Sequence, residues 1–441
     1  MNPPKASPAE RRDPGYQTPP RIKGAPLYIA LRYLWGRAKE GGRYLRGAAA
    51  GIALSLVPII VTLVVADGMI RGITDRYLEL GTSHVQVYDF LEDDIDAGRI
   101  AEDLRDVDFI RGIWRERQGL GIIVGSHGRL GATVRAVDPG FWEDPGSRAF
   151  LKVVSGSAAL ETNREVLLGE TLAETLEAKT GSAVRLMTVR INEDGSTTPR
   201  ITLFTVKGIV SSGYRELDSL WCIMNYEAGL ELLSPELYRS FLLVKTNDPH
   251  GNVDTAALYL AAYLGSGYGV YTWKQLEQSL YSSFKSTRQM LLFIMAILVL
   301  VAAVNVSSAT SMLTIERQRD IAVLKTAGAS PGNIQAVFLW GSFFTGLAGA
   351  LAGGAAGLLI GAFINQIIRG LEVLVNAVAG IWGGGVRLLN PEYYLEEIPV
   401  LIDWMTVFAI ILFTIGCSVL ASWLPARRAG KQKPLEILRR V

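Results

Sequence analysis

One serine stands at a spacing that hydrolases use. Residues 328–332 read Gly-Ala-Ser-Pro-Gly, the G-x-S-x-G pattern that places a nucleophilic serine on a tight turn beside a histidine and a carboxylate. All three histidines fall in a segment that we assign below to the opposite side of a membrane from Ser330. We therefore interpret the pattern as the end of one helix at Gly328 and the start of the next at Ser330-Pro331. We assign no catalytic residue.

The sequence contains no residue pattern typical of a disulfide framework, a metal site, a phosphate-binding loop or a nucleic-acid partner. The two cysteines, Cys222 and Cys417, are far apart and lie in dissimilar surroundings, which speaks against a disulfide framework or a zinc site. No G-x-x-x-x-G-K-[ST] loop and no H-E-x-x-H pair occurs in the sequence. The formal net charge of +2 gives no reason to expect a nucleic-acid partner. We expect this chain to bind no metal and no cofactor.

Residues 314–330 carry the most informative pattern in the chain. Ile321, Leu324 and Ala327–Gly328 can share one apolar side of a short helix, with charged residues around it. Such a helix suits insertion into a groove on a partner protein. A solvated turn between two membrane segments is the other interpretation, and composition alone leaves both open.

The elements that would position this segment are membrane helices. A spanning helix needs about 20 apolar residues, and the four uncharged runs 47–66, 289–315, 326–368 and 404–426 meet that requirement. We predict spans at 46–70, 288–315, 334–368 and 402–424. Lysine and arginine cluster before the first span and after the last, which predicts that both termini are cytoplasmic.

The intervening segments have distinct predicted roles. Residues 71–287 should form a large mixed α/β domain outside the membrane, inserted between the first and second spans. On the cytoplasmic side of the membrane, we expect a disordered tail at 1–25, an amphipathic interfacial helix at 26–45, a coupling helix at 316–333 and a tail at 425–441. Residues 369–401 should form an external loop, whose glycine-rich part at 373–386 indicates a loop or re-entrant piece.

The external domain should contain several strands. Seven β-rich runs occur in 71–287, near residues 84–88, 121–124, 132–137, 183–189, 201–210, 220–224 and 241–246. An Asp-Gly pair at 194–195 indicates a hairpin.

Two patterns inside the spans concern helix packing. Glycines recur every four residues in the third span, at Gly349, Gly353, Gly357 and Gly361. On a helix they form one smooth stripe that allows close approach of another span. In the second span, Asn305 and several hydroxyl residues interrupt an uncharged run, so we expect them to face protein or a cavity.

The run E-R-Q-R-D-I-A-V-L-K-T-A-G-A-S at 316–330 resembles the coupling segment of the FtsX-like and MacB-like permease superfamily. Further pieces resemble the lipoprotein-releasing LolC and LolE family: V-R-A-V-D-P at 134–139, L-L-G-E-T-L-A at 167–173, V-K-G-I-V-S-S-G-Y at 206–214, and L-P-A-R-R-A at 424–429. Each piece is short, but their order along the chain is specific. Two features depart from the family: a long N-terminal tail, and Asp67-Gly68-Met69 in place of the usual turn.

The resemblance implies a non-catalytic permease subunit of an ABC transporter in the bacterial inner membrane. It would extract triacylated lipoproteins from membrane lipid and release them to a LolA-like periplasmic carrier. A LolD-like ATPase would hold the ATP and Mg²⁺, and a second permease subunit, identical or paralogous, would complete the assembly. The implied ATPase-coupling residues are Glu316, Arg317, Arg319, Asp320, Ile321, Leu324, Lys325, Gly328 and Ser330. Val64, Met69 and Asn305 are the residues that we expect to line the lipid cavity.

Two other functions compete with this one. An FtsX-type permease would transmit ATPase motion to external cell-wall hydrolases and move no substrate. A membrane-anchored enzyme would need convergent catalytic residues within 71–287, where the sequence offers only isolated histidines and scattered carboxylates.

Overall fold

The computed structural model describes residues 26–30, 41–90, 96–104, 107–192, 195–379 and 398–432. The predicted tail at 1–25 lies outside these residues, as do residues 380–397 of the loop predicted at 369–401. Among the described helices, four are long and apolar enough to cross a membrane. They are α1 (Gly41–Arg76), α9 (Gln278–Glu316), α11 (Pro331–Ala362) and α13 (Trp404–Lys431). The predicted fold class is confirmed, because a mixed α/β domain lies between the first two of these helices.

Contacts divide the chain into two compact units. The first consists of residues up to Val61, Phe293–Leu359 and residues from Asp403 onward; the second consists of Thr62–Leu292 and Ile360–Ile402. The first therefore holds most of α11, all of α13 and one part each of α1 and α9. The second holds the α/β domain with the remaining parts of α1 and α9.

The α/β domain contains ten described strands in one sheet. In sheet order they run β10-β1-β9-β2-β3-β8-β5-β7-β4, with β6 paired to β2 and β7. The strands are β1 (Val85–Asp89), β2 (Ile110–Val124), β3 (Arg129–Val137), β4 (Lys152–Gly156), β5 (Glu165–Gly169), β6 (Ala183–Ile191), β7 (Thr197–Ser211), β8 (Trp221–Asn225), β9 (Ser240–Thr246) and β10 (Tyr268–Thr272). All seven β-rich runs of the sequence overlap a strand. The predicted hairpin is also confirmed, since β6 and β7 pair antiparallel from Ala183↔Thr205 to Ile191↔Thr197.

Short helices cover this sheet. They are α2 (Ala97–Asp103), α3 (Pro145–Phe150), α4 (Glu170–Thr175), α5 (Arg215–Asp218), α6 (Tyr226–Leu232), α7 (Val253–Leu264) and α8 (Trp273–Leu276). One hydrophobic core packs α4 and α6 against the strands around β6 and β7, with Leu172, Leu232 and Phe204 among its buried members. A second packs α2 and α7 against β1 and β9.

The glycine stripe of α11 faces α1. A Cβ on Gly349 would lie 2.7 Å from the Ala49 carbonyl oxygen, and one on Gly353 would lie 2.7 Å from that of Ala53. A Cβ on Gly357 would lie 2.9 Å from the Cβ of Ile60. Real Cβ atoms do not approach a carbonyl oxygen this closely, so the helices can meet at this distance only because these positions lack side chains.

Hydroxyl groups join three membrane helices in the first unit. The Thr310 hydroxyl of α9 lies 3.1 Å from that of Ser342 in α11 and 3.2 Å from that of Ser422 in α13. All three side chains are buried. Hydrogen bonds between hydroxyls are favourable where no water competes, so this cluster accounts for Thr310 in the uncharged second span. Asn305 instead is exposed on the surface of α9.

The unusual Asp67-Gly68 pair of α1 has a structural reason. A Cβ on Gly68 would lie 1.8 Å from the carbonyl oxygen of Pro399, so no other residue fits against this backbone. Asp67 forms an ion pair with Arg288 of α9, with Nε 2.9 Å from Oδ1. The Asn365 side chain exchanges two hydrogen bonds with the Ile398 backbone, at 3.0 and 3.1 Å. The second unit thus ties α1, α9 and the segment before α13 together.

Several predicted boundaries differ from the observed elements. The predicted interfacial helix at 26–45 is helical at 26–30, its residues 31–40 lie outside the described part, and from Gly41 it belongs to α1. The loop predicted from residue 369 is wrong up to Ala379, because α12 (Ile364–Ala379) is a continuous helix. Ile364, Ile367, Ile368, Leu371 and Leu374 give it an apolar side at helical spacing, which the glycines of the following residues obscured.

Replacing Gly353 by alanine should destabilise the folded protein by about 1–3 kcal/mol, because the added methyl group overpacks the contact with α1. A Cβ on Gly341 of the same helix would meet no atom within 4 Å, so Gly341→Ala is the matched control. Thermal unfolding in detergent measures both. Equal unfolding temperatures for the two variants would contradict the close contact.

Cys222 should resist thiol reagents in the folded protein. Its side chain is buried, and burial raises the pKa of the thiol to about 12. Since only the thiolate reacts quickly, we expect maleimide at pH 7 to label Cys222 only after unfolding. A cysteine introduced at Val323, which is 63% exposed, should label at once and serves as the positive control.

Candidate coupling surface

The segment between α9 and α11 forms a short helix of its own. It is α10 (Gln318–Thr326), and it follows α9 after a single break at Arg317. The Arg317 guanidinium lies 3.1 Å from the carboxylate of Asp320, an i,i+3 pair on the helix surface. A pair of this kind contributes only a few tenths of a kcal/mol, about 0.2–0.5.

The end of α10 is closed by a Schellman motif. Gly328 has a φ of +94°, a conformation that costs a side chain strain but is open to glycine. Its N–H donates to the Lys325 carbonyl at 3.0 Å, and the Ala329 N–H donates to that of Leu324 at 2.9 Å. These two bonds satisfy carbonyls that the helix end leaves free. The predicted helix stop at Gly328 is confirmed.

The next helix begins within two residues. The Ser330 hydroxyl accepts a hydrogen bond from the Asn333 N–H at 3.2 Å, which is an N-cap, and Pro331 occupies the first helical position. The serine of the G-x-S-x-G pattern is therefore occupied in capping α11. The tight pair of caps fixes the angle at which α10 meets α11.

One side of α10 packs against the membrane helices. Ile321 and Ala322 are buried, and Ile321 belongs to a cluster with Leu45 of α1, Leu313 of α9 and Phe338 of α11. Leu324 packs against the same cluster. These apolar residues hold α10 to its own subunit, so they are not free to enter a partner's groove.

Lys325 adds a polar tie to the fourth membrane helix. Its ammonium group donates to the Gly430 carbonyl at 2.7 Å and to that of Gln432. These carbonyls lie at the C-terminal end of α13, where a cation is favoured by the helix dipole. A Cβ on Gly430 would lie 2.6 Å from the Pro331 carbonyl oxygen, so the start of α11 and the end of α13 touch closely here.

The other side of α10 faces outward. Arg319, Val323, Thr326 and Ala327 are exposed and lie at helical spacings i, i+4, i+7 and i+8. We call these four residues the outer stripe. Val323 is an aliphatic residue that is 63% exposed, and sequence reasoning assigned it no role because its neighbours Ala322 and Leu324 shared the same apolar run.

The predicted coupling residues are thus divided. Arg319, Gly328 and Ser330 are exposed, Ile321 is buried, and the remaining five are half-buried: Glu316, Arg317, Asp320, Leu324 and Lys325.

The three residues expected to line a lipid cavity differ in how far they are exposed. Val64 is 2% exposed and packs on Gly361 of α11, Met69 is half-buried, and Asn305 is exposed. Val64 therefore contributes to helix packing.

Two family models match the chain. The MacB-like periplasmic core domain matches residues 47–258, and the FtsX-like permease C-terminal domain matches residues 292–434. The second match includes α10, the outer stripe, the Schellman motif that ends α10 and the N-cap of α11. The chain is an FtsX-like permease.

Relatives extend this similarity over almost the whole length. The lipoprotein-releasing system transmembrane protein LolC of Neisseria meningitidis is 27% identical, over 93% of this chain and 98% of its own. LolE of Haemophilus influenzae is 23% identical, over 94% and 99%. The crystal structure of the periplasmic region of MacB from Actinobacillus actinomycetemcomitans aligns with a TM-score of 0.31 and 15% identity, over 46% of this chain and 95% of that one. Together with the four apolar helices, these relatives show that the chain is of the LolC/LolE type, a multi-pass inner-membrane protein with a periplasmic domain.

Two substitutions in the coupling segment should act on the fold itself. Gly328→Leu places a side chain at a positive φ, which costs about 1–2 kcal/mol. Leu324→Asp puts a charge against a buried apolar cluster. We therefore expect both to lower the unfolding temperature, whereas Val323→Asp, on the outer stripe, should leave it unchanged. Thermal unfolding in detergent measures all three, and a destabilised Val323→Asp would show that the stripe is not free.

Proposed function

We propose that this chain is the permease subunit of an ABC transporter that extracts lipoproteins from the inner membrane and releases them to a periplasmic carrier. The similarity to lipoprotein-releasing proteins over 93% of the chain carries the proposal. The coupling surface agrees with it, because a rigidly capped helix with an outward stripe suits docking on a separate protein.

In the proposed complex, both termini and α10 are cytoplasmic. Two copies of an ABC ATPase bind ATP and Mg²⁺ and close upon ATP binding. The outer stripe contacts one of these copies, and a second permease subunit, identical or paralogous, contacts the other. No covalent chemistry falls to this chain, whose task is to convert movement of the ATPase into movement of its membrane helices.

The energetics explain why ATP is needed. Removing an acyl chain from the bilayer costs about 0.8 kcal/mol per buried methylene. A triacylated lipoprotein carries three such chains, and together they exceed what a passive binding site supplies. In the proposed cycle the substrate enters from membrane lipid between the spans. Met69 of α1 and exposed Asn305 of α9 remain our candidates for lining its path.

Inside the complex, α10 transmits force through the contacts described above. Its inward residues join it to α1, α9 and α11, and Lys325 joins it to α13. A push on the outer stripe therefore reaches all four membrane helices without passing through a flexible link. Arg319 adds a positive charge, so an acidic rim on the ATPase groove would complement it.

The test is a release assay with a matched pair of variants. The chain is co-purified with its candidate ATPase, reconstituted with a labelled triacylated lipoprotein, and supplied with ATP and a soluble carrier. Val323→Asp should abolish co-purification of the ATPase and release. Leu258→Asp introduces the same charge at a residue that is 73% exposed on the periplasmic helix α7, and it should keep both.

The outcomes separate the candidate functions. Release by the wild-type protein that depends on ATP supports the transport function. Binding of the ATPase without any release would contradict it and would favour an FtsX-type role, in which motion is passed to external hydrolases. Full ATPase binding by Val323→Asp would contradict the assignment of the outer stripe.

A further inference from the structure

The outer end of α1 is inserted among side chains of the periplasmic domain. The helix continues into a single π-helical turn, Tyr77–Gly81, and the last carbonyls of any helix lack partners within it. The Ser147 hydroxyl donates to the Glu79 carbonyl at 3.3 Å. The Arg135 guanidinium donates to the carbonyls of Leu80 and Gly81, the latter at 3.1 Å. Side chains from α3 and β3 therefore cap this helix.

Arg135 is itself held rigidly. Its side chain is 2% exposed, and it forms a bidentate pair with Glu116 of β2, at 2.7 and 2.8 Å. Paired N–H···O bonds of this kind fix the plane of the guanidinium as well as its position. The cation also lies at the negative end of the helix dipole, where it is stabilising.

A second group of charges surrounds the Glu79 side chain. Lys245 of β9 is fully buried, and its ammonium group lies 3.1 Å from the Glu79 carboxylate and 3.0 Å from that of Asp144. Arg111 of β2 contacts the same two carboxylates. Two cations thus balance two anions, and Asp144 also accepts the N–H groups of Gly146 and Ser147 at the start of α3.

A neutral histidine completes the set. The Thr246 N–H donates to Nδ1 of His84 at 2.8 Å, so the ring proton is assigned to Nε2, which lies 3.3 Å from the Glu79 carboxylate. Burial lowers the pKa of His84 and keeps the ring uncharged. We call Glu79, His84, Arg111, Asp144 and Lys245 the Glu79 joint.

Stability alone does not explain such an arrangement. Buried ion pairs are often no more stabilising than apolar residues of similar volume, because removing charges from water is costly. What they provide is direction, since each contact has a fixed geometry. Here every member of the joint converges on one turn at the end of a membrane helix, and the helix end and the domain belong to one compact unit, Thr62–Leu292.

We propose that Glu79 is a positioning residue whose contacts fasten the outer end of α1 to the periplasmic domain, so that the two reorient as one body during transport. The proposal rests on the transport function given above. It predicts a specific failure when the joint is opened. The permease folds and binds its ATPase, and the ATPase still hydrolyses ATP, but movement of α1 no longer reaches the domain and release fails.

The experiment compares Glu79→Gln, the double variant Glu79→Gln with Lys245→Met, and Asp254→Asn. The single variant leaves an excess positive charge in the joint, whereas the double variant removes one anion and one cation and keeps the balance. Asp254 pairs with Lys274 at 2.8 Å on the surface of the same domain, so its amide variant is the matched control. Each is studied as the full chain in complex with the ATPase, and unfolding temperature, ATP hydrolysis and released lipoprotein are measured.

We expect the double variant to unfold near the wild-type temperature, and its complex with the ATPase to hydrolyse ATP at the wild-type rate. Lipoprotein released per ATP should fall about fivefold or more, in the range of typical coupling effects. Asp254→Asn should match the wild-type protein throughout. Normal release per ATP by the double variant would overturn the proposal. A fall in release that is fully explained by a smaller amount of folded protein would overturn it as well.

Hydrogen exchange keeps the joint testable if the wild-type complex releases no lipoprotein. That result would contradict the proposed transport function, but the fastening of α1 can still be measured on backbone amides 78–84. We expect their exchange to rise about tenfold or more in the double variant and not in Asp254→Asn, because local opening exposes them. Unchanged exchange would overturn the joint whatever the substrate.

Discussion

In a bilayer, membrane helices gain nothing by hiding apolar surface from one another, because lipid tails are as apolar as leucine. Contact between helices must come from close packing and from polar groups that find partners. The glycine stripe of α11 against α1 provides the first, and the hydroxyl cluster of Thr310, Ser342 and Ser422 provides the second. These contacts fix the position of α11. They also fix the position of α10, because the turn that joins the two helices is short and capped on both sides.

Helix α10 is therefore packed as part of the membrane bundle. Its apolar side, its lysine and its C-terminal cap make contacts within the subunit, and the outer stripe remains exposed for a partner. A stripe of four residues makes a small interface. Such an interface suits a contact that transmits force, because the strength of the connection lies behind the surface, in the buried contacts of α10.

The sequence predicted the parts of this structure that depend on local pattern. Uncharged runs located the membrane helices, β-rich runs located seven of the described strands, and the spacing of Gly349 to Gly361 placed these residues on one helix face. Helix ends were predicted less well, because α1, α9 and α13 continue as polar helices beyond their apolar runs. The apolar side of α12 was hidden by neighbouring glycines. For α10, periodicity identified two sides but could not say which one faces the subunit, since that depends on Leu45 and Phe338 from distant helices. The Glu79 joint had no local signal, because its members come from separate strands and turns.

The joint also bears on how the protein is made. His84 and Thr246 are 162 residues apart in the chain, and Lys245 lies beside Thr246 at the end of β9. When α1 first enters the membrane during synthesis, the chain that will cap its outer end has not yet crossed. The carbonyls of the π-helical turn lack their partners until Arg135 and Ser147 have been exported, and the Glu79 carboxylate lacks Lys245 until most of the domain has followed. The first membrane helix of this permease can thus be inserted early, but its outer end gains the last of these contacts only after Lys245 and Thr246 of β9 have been exported.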